Sequence, residues 1–194
     1  MWSGPRNLST ALMRSFENRE DTKVWDEPFY AYYLKETKKN HPLANEIINK
    51  YETNLDKIID LVTAEKDFIY FQKHMSHHII KKIPINWITK GINCFLIRHP
   101  KEVLLSYIQK NDLIDSNDLG YPAQLRLFNY IKTSNKKILV IDAKDLSEKP
   151  EIILKKICKK INIPFTEKML NWPKGRRDSD GIWEKIWYKN VKSS

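Results

Sequence analysis

The chain has 194 residues, of which 41% are hydrophobic and 30% charged. That is enough for one domain with a real core, and no apolar run approaches the roughly 20 residues of a membrane span. Lys and Arg outnumber Asp and Glu by 34 to 24, a net charge of +10, which fits an anionic nucleotide or a nucleic acid as partner, or simply a lysine-rich solvated face. The stretch from Lys149 to Ser194 holds 12 basic and 5 acidic residues, so +7 of that charge sits in it. Cys94 and Cys158 lie at no metal-ligand spacing and read as reduced packing thiols, which suits the cytoplasm. No repeat or low-complexity linker divides the sequence, so residues 1–194 read as one domain.

Trp2-Ser3-Gly4-Pro5-Arg6-Asn7-Leu8-Ser9-Thr10-Ala11-Leu12-Met13 opens with small and turn-forming residues and passes into a helical apolar pattern, Leu12, Met13 and Phe16. Such a stretch is either an ordinary capped helix or an anion cradle. In a cradle, backbone N–H groups and the helix dipole face a negative group. Arg6 adds a guanidinium, and Ser9 and Thr10 add hydroxyl donors. Nothing here matches the triphosphate pattern G-x-x-x-x-G-K-[ST]. Only Met1 and Trp2 precede Ser3, so the first strand is expected to be truncated or very short.

Thr22–Trp25 predicts a short strand that ends at Asp26-Glu27-Pro28-Phe29-Tyr30. Strand carboxyl ends line the ligand crevice of an open α/β sheet. Asp26 or Glu27 there orients an acceptor, pairs with Arg6, or is a solvated turn acid. Phe29, Tyr30, Tyr32 and Tyr33 line an acceptor pocket or simply pack. A helix is expected over Ala31–Leu34, a polar loop over Lys38–Pro42, and helices over Asn45–Tyr51 and Asn54–Glu65. Phe68–Gln72 predicts a buried strand running into Lys73-His74-Met75-Ser76-His77-His78. A Lys-His pair at a strand end suits a general base. His74 is the first choice and His77 the next, with His78 beside them.

Ile92–Ile97 predicts another buried strand, which ends at Arg98-His99-Pro100 and opens a helix that carries Ser106. A guanidinium and a hydroxyl in this relation suit an anionic group, or the segment is a plain strand-to-helix turn with a salt-bridged arginine. Asn111–Gly120 reads as a polar, acidic loop bordering an acceptor site, Pro122–Ser134 as a helix and Lys137–Ile141 as a strand. A turn at Asp142–Leu146, a helix over Pro150–Ile161 and a short helix ending near Leu170 follow. The basic tail from Trp172 to Trp183 offers Lys174, Gly175, Arg176 and Arg177 as a closing loop. Alternating strands and helices predict a three-layer α/β/α domain with a mostly parallel sheet.

Pro5-Arg6-Asn7-Leu8-Ser9-Thr10 resembles the 5′-phosphosulfate loop of sulfotransferases, commonly P-[KR]-S-G-T-[TS]. Asn7 replaces a serine, and Leu8 replaces the glycine that lets backbone approach the ligand. Arg98 to Ser106 is similar to that family's 3′-phosphate motif, R-[ND]-P-x-[DE]-x-x-x-S, with His99 as an uncommon filler. Lys73-His74 resembles its K-T-H segment, and Asp145-Leu146 the end of its Y-E-D-L segment. Lys174-Gly175 with Gly181 and Trp183 resembles its R-K-G-x-x-G-x-W lid if three extra residues are allowed. A divergent branch that begins W-S-G-P-R-N-x-S-T-A and carries D-E-P-F-Y is more similar still.

The resemblance implies a P-loop NTPase-like sulfotransferase fold. The donor would be 3′-phosphoadenosine 5′-phosphosulfate (PAPS), the product its desulfated form (PAP), with no metal. Residues Pro5 to Thr10 would hold the 5′ group and Arg98 with Ser106 the 3′-phosphate, in two separate pockets, with Lys174, Gly175 and Arg176 closing over. His74 would take the acceptor proton while Lys73 and Arg6 stabilise charge. The acceptor would be a small hydroxyl or amine compound against Asp26, Glu27, Phe29 and Tyr30, rather than nucleic acid or a membrane. Two rivals remain open: a P-loop-like kinase or NTPase using Asp26 and Glu27 for magnesium, and a non-catalytic nucleotide- or RNA-binding protein.

Overall fold

The computed structural model describes residues 1–109, 115–188 and 191. Its strands are β1 (Trp2–Ser3), β2 (Thr22–Asp26), β3 (Ile69–Met75), β4 (Asn93–Ile97) and β5 (Ile138–Asp142). They form one sheet in the order β2-β3-β1-β4-β5, and every pairing is parallel. The helices are α1 (Ser9–Glu17), α2 (Tyr30–Thr37), α3 (Ala44–Lys50), α4 (Leu55–Thr63), α5 (Pro100–Ile108), α6 (Tyr121–Thr133), α7 (Ala143–Glu148), α8 (Pro150–Ile161) and α9 (Glu184–Trp187). None of the described helices is long and apolar enough to cross a membrane.

The shortest strand lies at the centre. Trp2 is opposite His74 on one side and Phe95 on the other, and Ser3 is opposite Met75 and Leu96. Period-two alternation then sends neighbouring side chains to opposite faces. Leu96 packs with Leu12 and Phe16 of α1 and with Leu154 and Ile157 of α8. Trp2 and Phe95 meet Ile58 and Val62 of α4 and Leu127 and Ile131 of α6. Both sheet faces are therefore covered, as a parallel sheet requires, and the three expected layers are present.

β3 runs to Met75, three residues beyond the expected end at Gln72. Pairing on both flanks extends it, because Asp26 registers with Lys73 on β2 while Trp2 and Ser3 register with His74 and Met75 on β1. Lys73 and His74 consequently lie inside the strand, on opposite faces. After β4, Pro100 opens α5, and the His99 ring caps it by accepting from the Lys101 N–H at 3.3 Å. The carboxyl ends of β1 to β4 all deliver their following loops to one edge of the sheet, where α/β folds bind ligands.

Candidate active site

The loop between β1 and α1 has an unusual backbone. Arg6 (φ 63°) and Leu8 (φ 62°) both adopt left-handed conformations, and so does Glu27 (φ 51°) at the end of β2. Non-glycine residues rarely adopt this region, and such strain concentrates at functional sites. Leu8 is the N-cap of α1 and offers no side-chain cap, and no acidic residue stands in the helix's first turn. The leading N–H groups of α1 are therefore left for an external acceptor. Gly4 fits beneath this loop because a Cβ there would lie 2.4 Å from the Leu119 carbonyl oxygen. Asn7 is buried and braces the loop, its Nδ2 donating to the Leu96 carbonyl at 3.3 Å, while its Oδ1 has no partner among the described residues.

This loop forms one wall of a cavity of about 550 Å³. Pro5 through Ala11, Arg98 and Ser106 belong to its wall, and Glu27, Tyr30, His41, Lys73, His77, His78, Trp187 and Tyr188 are among the other lining residues. The two arginines share this space and are coupled. Arg6 Nε donates to Ser106 Oγ at 2.9 Å, and Arg98 Nη1 donates to the Arg6 carbonyl at 2.9 Å. Glu102 steadies Arg98 from one helical turn on, Nε to Oε2 at 2.9 Å. Burial and then the nearby Arg98 charge lower the Arg6 pKa. The expectation of two separate pockets is therefore corrected: one cavity holds both groups, because Arg98 ahead of α5 and Ser106 within it both bond to Arg6.

Lys73 is 1% exposed and uses all three ammonium protons inside the protein. They go to Asp26 Oδ1 (2.6 Å), Glu27 Oε1 (2.7 Å) and the Tyr188 hydroxyl (2.5 Å). Burial alone would lower its pKa, but Asp26 and Glu27 hold it well above the ordinary lysine value. Two carboxylates against one ammonium leave an excess negative charge. Burial pushes the Glu27 carboxyl up to about 7, Lys73 pulls it down, and Asp26 adds to the upward push. Glu27 thus exchanges a proton near neutral pH, which suits a general base.

His74 lies away from this cavity. Its ring stacks on Trp2 at 4.6 Å, donates from Nε2 to Gln72 Oε1 (3.1 Å), and borders a second cavity of about 300 Å³. Strand alternation is the reason: Lys73 faces the first cavity, so its neighbour cannot. His77 and His78 do line the first cavity. His78 is clamped between Tyr30 and Tyr33, with ring centroids at 4.6 and 4.7 Å. Burial lowers the pKa of all three, to about 3 for His77 and well below the ordinary histidine value for His74 and His78. Phe29 also falls outside the cavity wall and stacks on Trp87 in the core.

The tail differs from expectation too. Lys174, Gly175 and Arg176 are not part of the cavity wall, and Arg176 is largely exposed, with Glu184 4.0 Å away. The segment is pinned to α1 instead, where Asp180 accepts two 2.7 Å hydrogen bonds from the buried Arg14. The tail reaches the cavity only further on, through Trp187, Tyr188 and Val191. Tyr188 donates to Asp26 Oδ2, to which Trp183 Nε1 also donates at 3.1 Å. Sequence reasoning assigned no site role to Trp187 or Tyr188 and did not single out His41 or Asp118, since no local pattern marks them as lining this cavity. Asp118 pairs with Lys39 and belongs to the acidic loop expected at 111–120, of which residues 111–114 lie outside the described residues. Among the described residues, no group of three His, Cys, Asp or Glu side chains is placed to hold a metal ion.

The family model described as "Sulfotransferase domain" matches residues 1–194. Two proteins of Arabidopsis thaliana, the branched-chain-amino-acid aminotransferase-like proteins 1 and 2, are 35% and 33% identical to the chain over 201 residues. Those matches cover 100% of this chain and 35% of each relative, so the chain spans about a third of their length. Among solved structures, the sulfotransferase domain from the curacin biosynthetic pathway superposes with a TM-score of 0.60 at 13% identity, over 93% of this chain and 79% of that one. The corresponding domain from the Synechococcus PCC 7002 olefin synthase gives 0.65 at 15% identity, over 100% and 81%. At such identities these two likenesses are ones of fold.

Proposed function

The chain belongs to the sulfotransferase domain family, and we propose that it moves a sulfuryl group from PAPS to the hydroxyl or amine of a small acceptor. The observation that carries this reading is the convergence of Arg6, Arg98, Ser106 and the uncapped start of α1 on a single cavity that also holds Glu27. Two guanidiniums, a hydroxyl and free helix N–H groups fit a ligand with more than one acidic group. The missing Gly-Lys of a triphosphate loop speaks against a magnesium-dependent kinase. So does the engagement of Asp26 and Glu27 with Lys73, which leaves them poor magnesium ligands.

The donor supplies a sulfur bonded to a phosphate leaving group. In our reading Arg6 and the backbone of residues 6–10 hold its 5′ end, and Arg98 with Ser106 holds its 3′-phosphate. Glu27 accepts the proton that the acceptor releases as its oxygen or nitrogen bonds the sulfur. It replaces His74 in that role because it borders the cavity and has an affinity for protons near neutrality. Lys73 keeps Glu27 oriented rather than touching the sulfuryl oxygens, since its donors are already engaged. Catalysis then rests on positioning and preorganised charge. No role is assigned to Lys174, Gly175 or Arg176.

The test is a thermal-shift titration with PAP, AMP and ATP on the wild type and on Arg98→Ala. PAP is expected to stabilise the wild type far more than AMP or ATP. Losing a charge-assisted phosphate contact of about 1.5–3 kcal/mol should weaken PAP binding by about 10- to 100-fold in Arg98→Ala. Equal shifts with all three nucleotides would overturn the 3′-phosphate assignment.

A further inference from the structure

The Asp26–Lys73 pair is completed by a residue from the far end of the chain. Tyr188 accepts the third proton of Lys73 at 2.5 Å and donates its own to Asp26 Oδ2. Trp183 Nε1 adds donors to Asp26 Oδ2 at 3.1 Å and to the Tyr188 oxygen at 3.3 Å. Both aromatic residues are buried. Without them, one Lys73 proton and one Asp26 oxygen would be buried and unpartnered, a costly state. Glu27 is bound differently: Lys73 takes only Oε1, and the group nearest Oε2 among its ionic neighbours is His78 Nδ1 at 3.9 Å, beyond a hydrogen bond.

We propose that Tyr188 is a positioning residue for proton transfer, locking Lys73 onto Asp26 so that Glu27 keeps a single anchored oxygen and presents the other to the acceptor. This deepens the sulfuryl-transfer reading and rests on it for the identity of the acceptor, though not for the geometry. Asp26 from β2 and Lys73 from β3 act on the charge of Glu27, and His78 from the turn after β3, Tyr30 from α2 and Tyr188 from the tail also face it. Removing the Tyr188 hydroxyl leaves Asp26 Oδ2 short of a donor. The Lys73 proton freed from Tyr188 turns to that oxygen and draws the ammonium off Glu27 Oε1, so Glu27 holds its proton to higher pH. The tail thereby completes the proton-transfer machinery, and an undocked tail would leave the nucleotide site intact but the base mistuned.

Carbon-13 NMR of glutamate carboxyls reads this directly, with Glu27→Gln identifying the resonance. In Tyr188→Phe the Glu27 midpoint should rise by about one pH unit, and the acid limb of the kcat/KM profile should rise with it. The PAP-induced thermal shift should stay unchanged, showing that the variant is folded with its donor site intact. If Tyr188→Phe does not fold, Trp183→Phe removes the second donor to Asp26 and should move the midpoint the same way by less. An unmoved Glu27 midpoint in a folded variant overturns the positioning role. A wild type that gains no thermal shift from PAP would instead count against sulfuryl transfer, while a moved Glu27 midpoint leaves the positioning role standing.

Discussion

Leu8 stands where a phosphate loop ordinarily carries glycine, and its φ of 62° is the conformation glycine adopts freely. The sequence therefore departs from the pattern while the backbone keeps to it. A left-handed leucine costs about 1–2 kcal/mol, of which extra chain entropy returns a part when glycine replaces it. Leu8 is 40% exposed, so little packing is lost with its side chain. Leu8→Gly should stabilise the fold by about 0.5–1 kcal/mol, a rise of a few degrees in Tm for a chain of this size. Calorimetric unfolding checks it, and an unchanged or lower Tm would show that the side chain contributes more by packing than it costs in strain. Glu27 carries the same kind of strain at the end of β2, and there it aims a carboxylate at Lys73.

Loops from distant elements meet at the cavity with no room to spare. The 115–120 loop lies against Gly4, whose Cβ, if present, would collide with the Leu119 carbonyl oxygen at 2.4 Å. The colliding atom is backbone and cannot swing aside. Gly4→Ala should therefore cost about 1–3 kcal/mol, as overpacking does, and should weaken PAP binding by displacing the loop that carries Arg6. Thermal unfolding with and without PAP measures both; a full-strength PAP shift would show that the loop accommodates the methyl. β3 illustrates the opposite case, an element whose length was decided by its neighbours. Its pairing with β1 and β2 carried the strand past Gln72, and that turned His74 from a candidate base into a core residue stacked on Trp2.

Across the whole molecule, buried ionisable groups set how stability depends on pH. His74, His77 and His78 all have lowered pKa values in the fold. Their contribution is complete above the unfolded value of about 6.5 and is lost as pH falls. Glu27 runs the other way: its pKa is raised from 4.5 to about 7, so its contribution is complete below pH 4.5 and is lost as pH rises toward 7. With His41, whose pKa burial also lowers, four histidines oppose this one carboxyl. Unfolding free energy should fall as pH drops from about 6.5 toward 4, by on the order of 1 kcal/mol per pH unit for each net proton. Glu27→Gln removes the opposing contribution and should steepen that fall. Denaturant unfolding at pH 7, 6 and 5 tests it, and a flat or shallower profile in the variant would contradict the buried state of Glu27.

The alternation of strands and helices, the parallel α/β class, and the order of the loop, the Arg98–Ser106 segment and the helices around them are legible in the residues alone. These follow from local hydrophobic periodicity and turn chemistry, which act over a few residues and need no knowledge of the rest of the chain. That Arg6 and Arg98 share one cavity, that Lys73 and not His74 faces it, and that Tyr188 closes the Asp26–Lys73 pair emerge with the folded chain. Each of these depends on strand register or on contacts between residues about 90 to 160 positions apart. Burial at that range sets which face a side chain takes and how tightly it holds a proton, and no local stretch of sequence carries that information.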